Sequence, residues 1–198
     1  MPNQSNKIER TAKSIFNLPN IITMARIICV PFFIWSLFAF SADAPARWLS
    51  TLMFIIIMAS DGIDGAIARR RGLITNLGKL LDPIADKALL GGALVALSLL
   101  NEFSGWVTAI ILLRELGITA YRFVVIRKGV VAASSGGKIK TILQSVLIGS
   151  LTSPLDFVWS PWFVNFESLL TIVVLLVTVV TGLQYLVAAG RVKREQSK

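Results

Sequence analysis

The chain alternates between apolar stretches and short segments that carry most of its charges. A helix needs roughly 20 residues to cross the hydrocarbon core of a bilayer. Only residues 168–190, with 23 residues, reach that length without a charge. Charged residues must therefore enter the membrane thickness if the other stretches also cross it. The main uncharged stretches are 27–42, 48–60, 88–101, 103–113, 141–155 and 168–190.

This pattern predicts an all-α integral membrane protein with six transmembrane helices joined by short loops. The helices are expected at about 20–40, 48–70, 78–100, 105–127, 138–155 and 167–190. Residues 20–190 would then form one membrane domain, and residues 191–198 would form a basic cytoplasmic tail.

Residues 1–19 are too polar for a cleavable signal peptide, because no apolar core precedes Asn20. Their apolar side chains share one helical face, and their cations lie elsewhere: Ile8, Ala12, Ile15 and Phe16 on that face, and Lys7, Arg10 and Lys13 away from it. We predict a short amphipathic helix that lies on the anionic inner leaflet. A solvated tail is the alternative.

The charges are distributed unequally between the two sides of the predicted bundle. One side, formed by residues 41–47, 101–104 and 156–167, holds one cation and four anions. The other 19 of the 20 Lys and Arg residues lie on the opposite side or in the helices approaching it. The positive-inside rule makes that basic side cytoplasmic, with both termini inside. Four tryptophans fall near the outer helix ends, as in an aromatic belt: Trp48, Trp106, Trp159 and Trp162.

Composition narrows the classes of function. The net charge is +9, but 55% of the residues are hydrophobic and only 16% are charged. The basic excess therefore favours an anionic membrane surface over nucleic acid as partner. The chain has no histidine, and Cys29 is its only cysteine. This composition excludes catalysis by histidine, intrachain disulfides and zinc sites with several thiolates. Carboxylates must therefore carry out any acid–base or metal chemistry.

The densest group of acids lies toward the cytoplasmic ends of the second and third predicted helices. Asp61 and Asp64 are spaced i, i+3, and Asp82 and Asp86 are spaced i, i+4, so each pair shares one helical face. The intervening loop lets the helices run antiparallel, so the pairs can meet. Four close carboxylates would repel one another unless cations neutralised them, and a magnesium or manganese pair fits best. A purely structural salt-bridge role is the alternative.

The spacing of these residues resembles the complete signature of the CDP-alcohol phosphatidyltransferases. The matching string is Asp61-x2-Asp64-Gly65-x2-Ala68-Arg69-x8-Gly78-x3-Asp82-x3-Asp86, with all eight fixed identities present. The resemblance implies a six-helix membrane enzyme, usually a homodimer. Such an enzyme transfers a phosphatidyl group from CDP-diacylglycerol to an alcohol and releases CMP.

The same resemblance implies roles for individual residues. Two divalent cations, Mg²⁺ or Mn²⁺, would be held by Asp61, Asp64, Asp82 and Asp86. Asp86 would also be the catalytic general base for the acceptor hydroxyl, and Arg69 would steady the pyrophosphate. The cytidine pocket would be lined by Gly65, Ala68, Thr75 and Gly78.

Looser motifs resemble the branch of the family that uses glycerol 3-phosphate and makes phosphatidylglycerol phosphate. They lie at residues 18–26, 81–87, 114–119 and 137–141. A dianionic acceptor needs cations, because arginine offers paired donors to phosphate and lysine a point charge. The candidates on the fourth and fifth helices are Arg114, Arg122, Lys138 and Lys140. Alternatively, Arg114 and Glu115 form a structural ion pair and the lysines mark the membrane boundary.

Other functions remain open at this point. A cardiolipin synthase or a phosphatidylinositol-phosphate synthase of the same family would also use a phosphate-bearing acceptor. A cation transporter would distribute its carboxylates through the whole membrane depth. In this chain, predicted helices 1–3 and 5 carry no carboxylate in the outer half of the membrane. A non-catalytic membrane scaffold would have no use for the four acids. We expect a multi-pass cell-membrane enzyme of phospholipid biosynthesis, with its active site on the cytoplasmic side.

Overall fold

The computed structural model describes residues 17–71, 75–125, 136–155 and 161–195. This part of the chain contains six long α-helices and no strand, so the prediction of an all-α fold is confirmed. The amphipathic segment is predicted at residues 1–19, of which residues 1–16 lie outside the described residues. Its C-terminal boundary is wrong, because Leu18 and Pro19 already belong to the first long helix, which Asn17 caps. The helices are α1 (Leu18–Ala39), α2 (Ala44–Arg71), α3 (Asn76–Leu99), α4 (Gly105–Val125), α5 (Gly136–Thr152) and α6 (Trp162–Glu195).

The start of α1 is determined by its own sequence. The backbone N–H of Asn20 donates to the Asn17 side chain over 3.1 Å, which satisfies one of the free donors of the first turn. Pro19 occupies the first turn, where its missing N–H costs nothing. The helix ends at Ala39, and the N–H of the C-cap residue Phe40 donates to the carbonyl of Ser36 over 3.0 Å. The N-terminal cap fixes where the helix starts, and therefore where its first polar residue, Asn20, lies.

The chain divides into two compact units, Met1–Ala96 and Leu97–Lys198. In the first unit, α1 packs closely against α2. Phe33 and Phe54 meet there with ring centroids 5.7 Å apart, and both are buried. In the second unit, α4 and α5 each pack against α6. Its core is formed by fully or almost fully buried apolar side chains, which include Ile111, Leu147, Ile148 and Val174.

Three segments of the described helices are long and apolar enough to cross a membrane: Leu18–Ala39, Ala44–Ile67 and Trp162–Tyr185. The helices α3 and α4 have 24 and 21 residues but carry several charged residues, and the apolar part of α5 is shorter. Large apolar side chains also face outward along α1, where Ile28, Phe32 and Trp35 are 63%, 60% and 64% exposed. Such surfaces are unfavourable in water and typical of contact with lipid. The chain is therefore a membrane protein.

Candidate functional site

The predicted acids of the first unit lie on two helices, as the sequence predicts. Helix α2 carries Asp61 and Asp64 one turn apart, and α3 carries Asp82 and Asp86 one turn apart. The Asp61 side chain is 43% exposed, and Asp82 and Asp86 are half-buried. The side chain of Asp64 lies outside the described residues.

A row of buried polar residues on α1 contacts this region. Asn20, Thr23 and Arg26 follow one another at intervals of three residues and are 2%, 2% and 3% exposed. We call these three residues the α1 polar stripe. In an apolar membrane helix, polar side chains at this spacing share a face and need partners.

Each member of the α1 polar stripe bonds to a residue of α2, α3 or the segment before α3. Arg26 forms an ion pair with Asp61, and its Nε donates to Ser60 Oγ over 3.3 Å. Thr23 Oγ1 donates to Asp82 Oδ1 over 3.0 Å. At the start of α1, Asn20 Oδ1 accepts a 2.9 Å hydrogen bond from Thr75 Oγ1. The stripe thus holds two of the predicted metal ligands and one predicted pocket residue.

The motif at residues 18–26 resembles the family but does not by itself indicate a role for these polar residues. The missed signal was the regular spacing of Asn20, Thr23 and Arg26 within an otherwise apolar helix. Burying such groups in lipid is costly unless they are paired, so the spacing alone indicated partners on other helices.

Two of the predicted pocket residues also stabilise the local fold. Thr75 caps α3, because its Oγ1 accepts the backbone N–H of Gly78 over 3.0 Å. A Cβ atom added at Gly78 would lie 3.0 Å from Asn20 Oδ1 and 3.2 Å from Thr75 Oγ1. Glycine at this position therefore allows α1 and α3 to approach closely. Gly65 is half-buried on α2, and the side chains of Ala68 and Arg69 lie outside the described residues.

The donor atoms of this region suit a hard divalent cation, since the acids offer oxygen ligands and neither sulfur nor imidazole accompanies them. Among the described side chains, no three acids lie close enough together to hold a metal ion. The fourth predicted ligand, Asp64, is not among those side chains. The residues therefore fit Mg²⁺ or Mn²⁺ in chemical type, and cation binding stays a prediction.

A second polar group lies in the second unit, around Glu115 of α4. Glu115 accepts from Arg114 Nη1 over 2.9 Å and forms an ion pair with Lys140 of α5. Arg114 Nη2 donates to Thr181 Oγ1 of α6 over 2.9 Å. These Arg114, Glu115 and Lys140 side chains are 17%, 12% and 4% exposed. Counting only the described side chains, two cations pair with one anion in a largely buried place.

The structure thus brings Arg114 and Lys140 together, while the side chains of Arg122 and Lys138 lie outside the described residues. Arg114 Nε is buried and has no hydrogen-bond partner in the described part of the chain. The stem of Arg114 runs against Gly182 of α6, where an added Cβ would lie 3.3 Å from Arg114 Cγ. Among the described contacts, one guanidinium donor is therefore unused, and an anion is the kind of group that would pair with it.

The chain is similar in sequence to known proteins over most of its length. The sequence profile of the CDP-alcohol phosphatidyltransferases matches residues 16–184. A Mycobacterium tuberculosis protein named "Probable phosphatidylglycerophosphate synthase" is 43% identical over 89% of this chain and 83% of its own length. The "CDP-diacylglycerol–glycerol-3-phosphate 3-phosphatidyltransferase" of Bacillus subtilis is 36% identical over 86% of this chain and 94% of its own.

The similarity extends to further bacteria. The protein of Rickettsia bellii with the same name as the Bacillus subtilis enzyme is 37% identical, over 88% of this chain and 96% of its own length. Each alignment covers at least 83% of both proteins, so the likeness is not confined to the aspartate signature. The chain therefore belongs to the CDP-alcohol phosphatidyltransferase family.

Proposed function

We propose that this chain transfers the phosphatidyl group of CDP-diacylglycerol to glycerol 3-phosphate, giving phosphatidylglycerol phosphate and CMP. One observation carries the choice of acceptor. Relatives that bear the name of this enzyme, from Bacillus subtilis and Rickettsia bellii, are 36% and 37% identical to the chain over most of its length. The function belongs to phospholipid biosynthesis.

The chemistry requires a base, because the attacking hydroxyl of glycerol 3-phosphate must lose its proton. The hydroxyl oxygen bonds to the phosphorus that carries diacylglycerol, and the bond from that phosphorus to CMP breaks in line. With no histidine in the chain, a carboxylate is the natural proton acceptor. Asp86, half-buried on α3, is the residue that we assign to this role.

The four aspartates of α2 and α3 would hold the divalent cations. Asp61, Asp64, Asp82 and Asp86 offer only oxygen ligands, which suits Mg²⁺ or Mn²⁺. When bound, such ions supply positive charge that stabilises the pyrophosphate and the departing CMP. Arg69 would add a further cation for the pyrophosphate. Small residues would leave room for the cytidine: Gly65, Ala68, Thr75 and Gly78.

The cluster around Glu115 would bind the phosphate of the acceptor. Arg114 and Lys140 carry two positive charges against one negative charge, so a dianionic phosphate would gain attraction there. Arg122 and Lys138 would extend this set. A cardiolipin synthase or a phosphatidylinositol-phosphate synthase would need similar cations, so the names of the relatives, rather than the cluster, favour glycerol 3-phosphate.

We further propose that all six helices cross the membrane, with both termini and the active site on the cytoplasmic side, in a homodimer. The strongest support is the charge distribution, since 19 of the 20 Lys and Arg residues lie on or toward one side. Charged residues in α3 and α4 would be tolerated because they face polar partners rather than lipid.

The deciding experiment measures CMP release by the purified full chain with CDP-diacylglycerol and Mg²⁺. Glycerol 3-phosphate, phosphatidylglycerol and inositol phosphate are supplied separately, and a reaction with EDTA is the control. We expect release with glycerol 3-phosphate alone, and its loss on chelation. Release only with phosphatidylglycerol or inositol phosphate would overturn the acceptor, and no release with any of the three would overturn the proposed function.

A further inference from the structure

We propose that Thr23 and Arg26 are positioning residues that orient the carboxylates of Asp82 and Asp61 and so set the affinity of this site for divalent cations. The inference rests on the proposed function, because it takes these aspartates as cation ligands. It assigns a role to α1, which contributes no acid to the site.

Thr23 reaches its carboxylate from a buried position. Its Oγ1 lies 3.0 Å from Asp82 Oδ1 and 3.1 Å from the carbonyl of Pro19 in the preceding turn. A hydroxyl has one proton, and a charged carboxylate is a stronger acceptor than a neutral carbonyl. The proton therefore favours Asp82, and the hydrogen bond fixes the rotamer of a side chain that could otherwise turn.

Arg26 is fixed from two directions. Its Nε donates to Ser60 Oγ over 3.3 Å, and Ser60 Oγ in turn donates to the carbonyl of Ile57 over 2.7 Å. These bonds hold the plane of the guanidinium, which pairs with Asp61. The Arg26 side chain is 1% exposed, whereas the Asp61 side chain is 43% exposed. The buried Arg26 guanidinium thus contacts Asp61 from the protein interior, and the Asp61 carboxylate keeps an accessible surface for a ligand.

These contacts matter for metal binding because a carboxylate has two oxygen atoms. A hydrogen bond or ion pair to one oxygen orients the other. Residues that orient metal ligands in this way typically change metal affinity by about 10–100-fold when they are replaced. A purely architectural contact between helices would not have this effect.

The same helix makes another buried hydroxyl contact with α2, at Ser36. Ser36 is 1% exposed, and its Oγ donates to Ser50 Oγ of α2 over 2.8 Å. The side-chain hydrogen bonds of Ser36 go to Ser50 and to the carbonyl of Phe33, which are not predicted site residues. A variant at Ser36 therefore removes a buried hydroxyl contact of α1 of similar length and leaves the α1 polar stripe intact.

The experiment compares Thr23→Val, Thr23→Ser and Ser36→Ala in the purified full chain. Valine keeps the shape of threonine and removes the hydroxyl, and serine restores it. Binding of Mn²⁺ is measured from the electron paramagnetic resonance signal of the free ion, without substrate. The unfolding temperature of each protein is measured alongside.

We expect Thr23→Val to raise the dissociation constant for Mn²⁺ about ten-fold, with Thr23→Ser near the wild type. The Ser36→Ala protein should bind Mn²⁺ like the wild type. Unchanged Mn²⁺ affinity in folded Thr23→Val, or equal weakening in Ser36→Ala, would overturn the inference. If Thr23→Val does not fold, Arg26→Lys is measured instead: it keeps the charge and loses the Nε bond to Ser60, and unchanged Mn²⁺ affinity is the overturning result.

The two proposals can fail separately. A wild-type protein that binds no Mn²⁺ overturns the role of Thr23 and Arg26, whereas the proposed transfer reaction is decided by CMP release alone. Conversely, a protein that binds Mn²⁺ but releases no CMP would retain the positioning role and lose the proposed function.

Discussion

At the scale of single residues, Asp86 should separate the chemical step from substrate binding. Replacing it by asparagine keeps the size of the side chain and removes the proton acceptor. We expect Asp86→Asn to lower CMP release by at least about 100-fold, as is usual when a general base is lost. Binding of labelled CDP-diacylglycerol should largely persist. Glu102→Gln, in the loop after α3, is the control, and near-normal turnover of Asp86→Asn would contradict the assignment.

Arg114 offers a second test at this scale, because its geometry should matter as much as its charge. Lysine keeps the positive charge but cannot reproduce the paired donors that reach Glu115 and Thr181. The loss of one charge-assisted hydrogen bond is worth about 1.5–3 kcal/mol. We therefore expect Arg114→Lys to raise the KM for glycerol 3-phosphate about 10–100-fold. The KM for CDP-diacylglycerol is the internal control, and an equal rise in both would argue against a phosphate-binding role.

At the scale of helices, the close approach of α6 to Arg114 depends on a glycine. A Cβ at position 182 would lie 3.3 Å from Arg114 Cγ, closer than ordinary van der Waals contact. We expect Gly182→Ala to displace the arginine and raise the KM for glycerol 3-phosphate several-fold with little change in unfolding temperature.

The matched control is Gly117→Ala on α4. Within the described part of the chain, nothing lies within 4 Å of a Cβ built at Gly117, and alanine favours a helix over glycine by about 1 kcal/mol. This variant should keep wild-type kinetics. A KM for Gly182→Ala indistinguishable from that of Gly117→Ala would show that Arg114 adjusts without loss.

The sequence predicts helix boundaries well where a charged residue coincides with a turn, and it predicts them less well elsewhere. The prediction for α3, residues 78–100, agrees closely with Asn76–Leu99. The sequence predicts the last helix from residue 167, because the uncharged stretch 168–190 begins directly after Glu167. It begins instead at Trp162, where the N–H of Asn165 already donates to the carbonyl of Pro161. A charge marks a preferred membrane depth, whereas a helix starts where its first backbone bonds form.

The candidate site, too, can be predicted from the sequence only in part. The pairing of acids within α2 and within α3 follows from helical spacing and needs no knowledge of the fold. The partners of α1 do not follow from spacing, because they are separated by 35 residues for Arg26 and Asp61 and by 59 for Thr23 and Asp82. Local pattern indicates that such polar groups need partners, but only helix packing determines which partners they meet.

At the scale of the whole molecule, the orientation in the membrane can be tested with single cysteines. Cys29 is the only cysteine, so Cys29→Ser provides a background without thiols. In that background, Glu102→Cys should react with an impermeant maleimide in intact cells. Ser134→Cys should react only after permeabilisation, because the basic side is predicted to be cytoplasmic. The reverse labelling pattern would show that the protein has the opposite orientation.

The ion pair between Arg26 and Asp61 also has a consequence for biogenesis. Arg26 lies in the interior of α1, and a lone arginine in the middle of a membrane helix disfavours insertion by about 2.5–3.5 kcal/mol. Its partner Asp61 is synthesised 35 residues later, in the second half of α2. The translocon should therefore release α1 efficiently only when α2 follows, so that the two helices partition into lipid as a hairpin with their charges already neutralised.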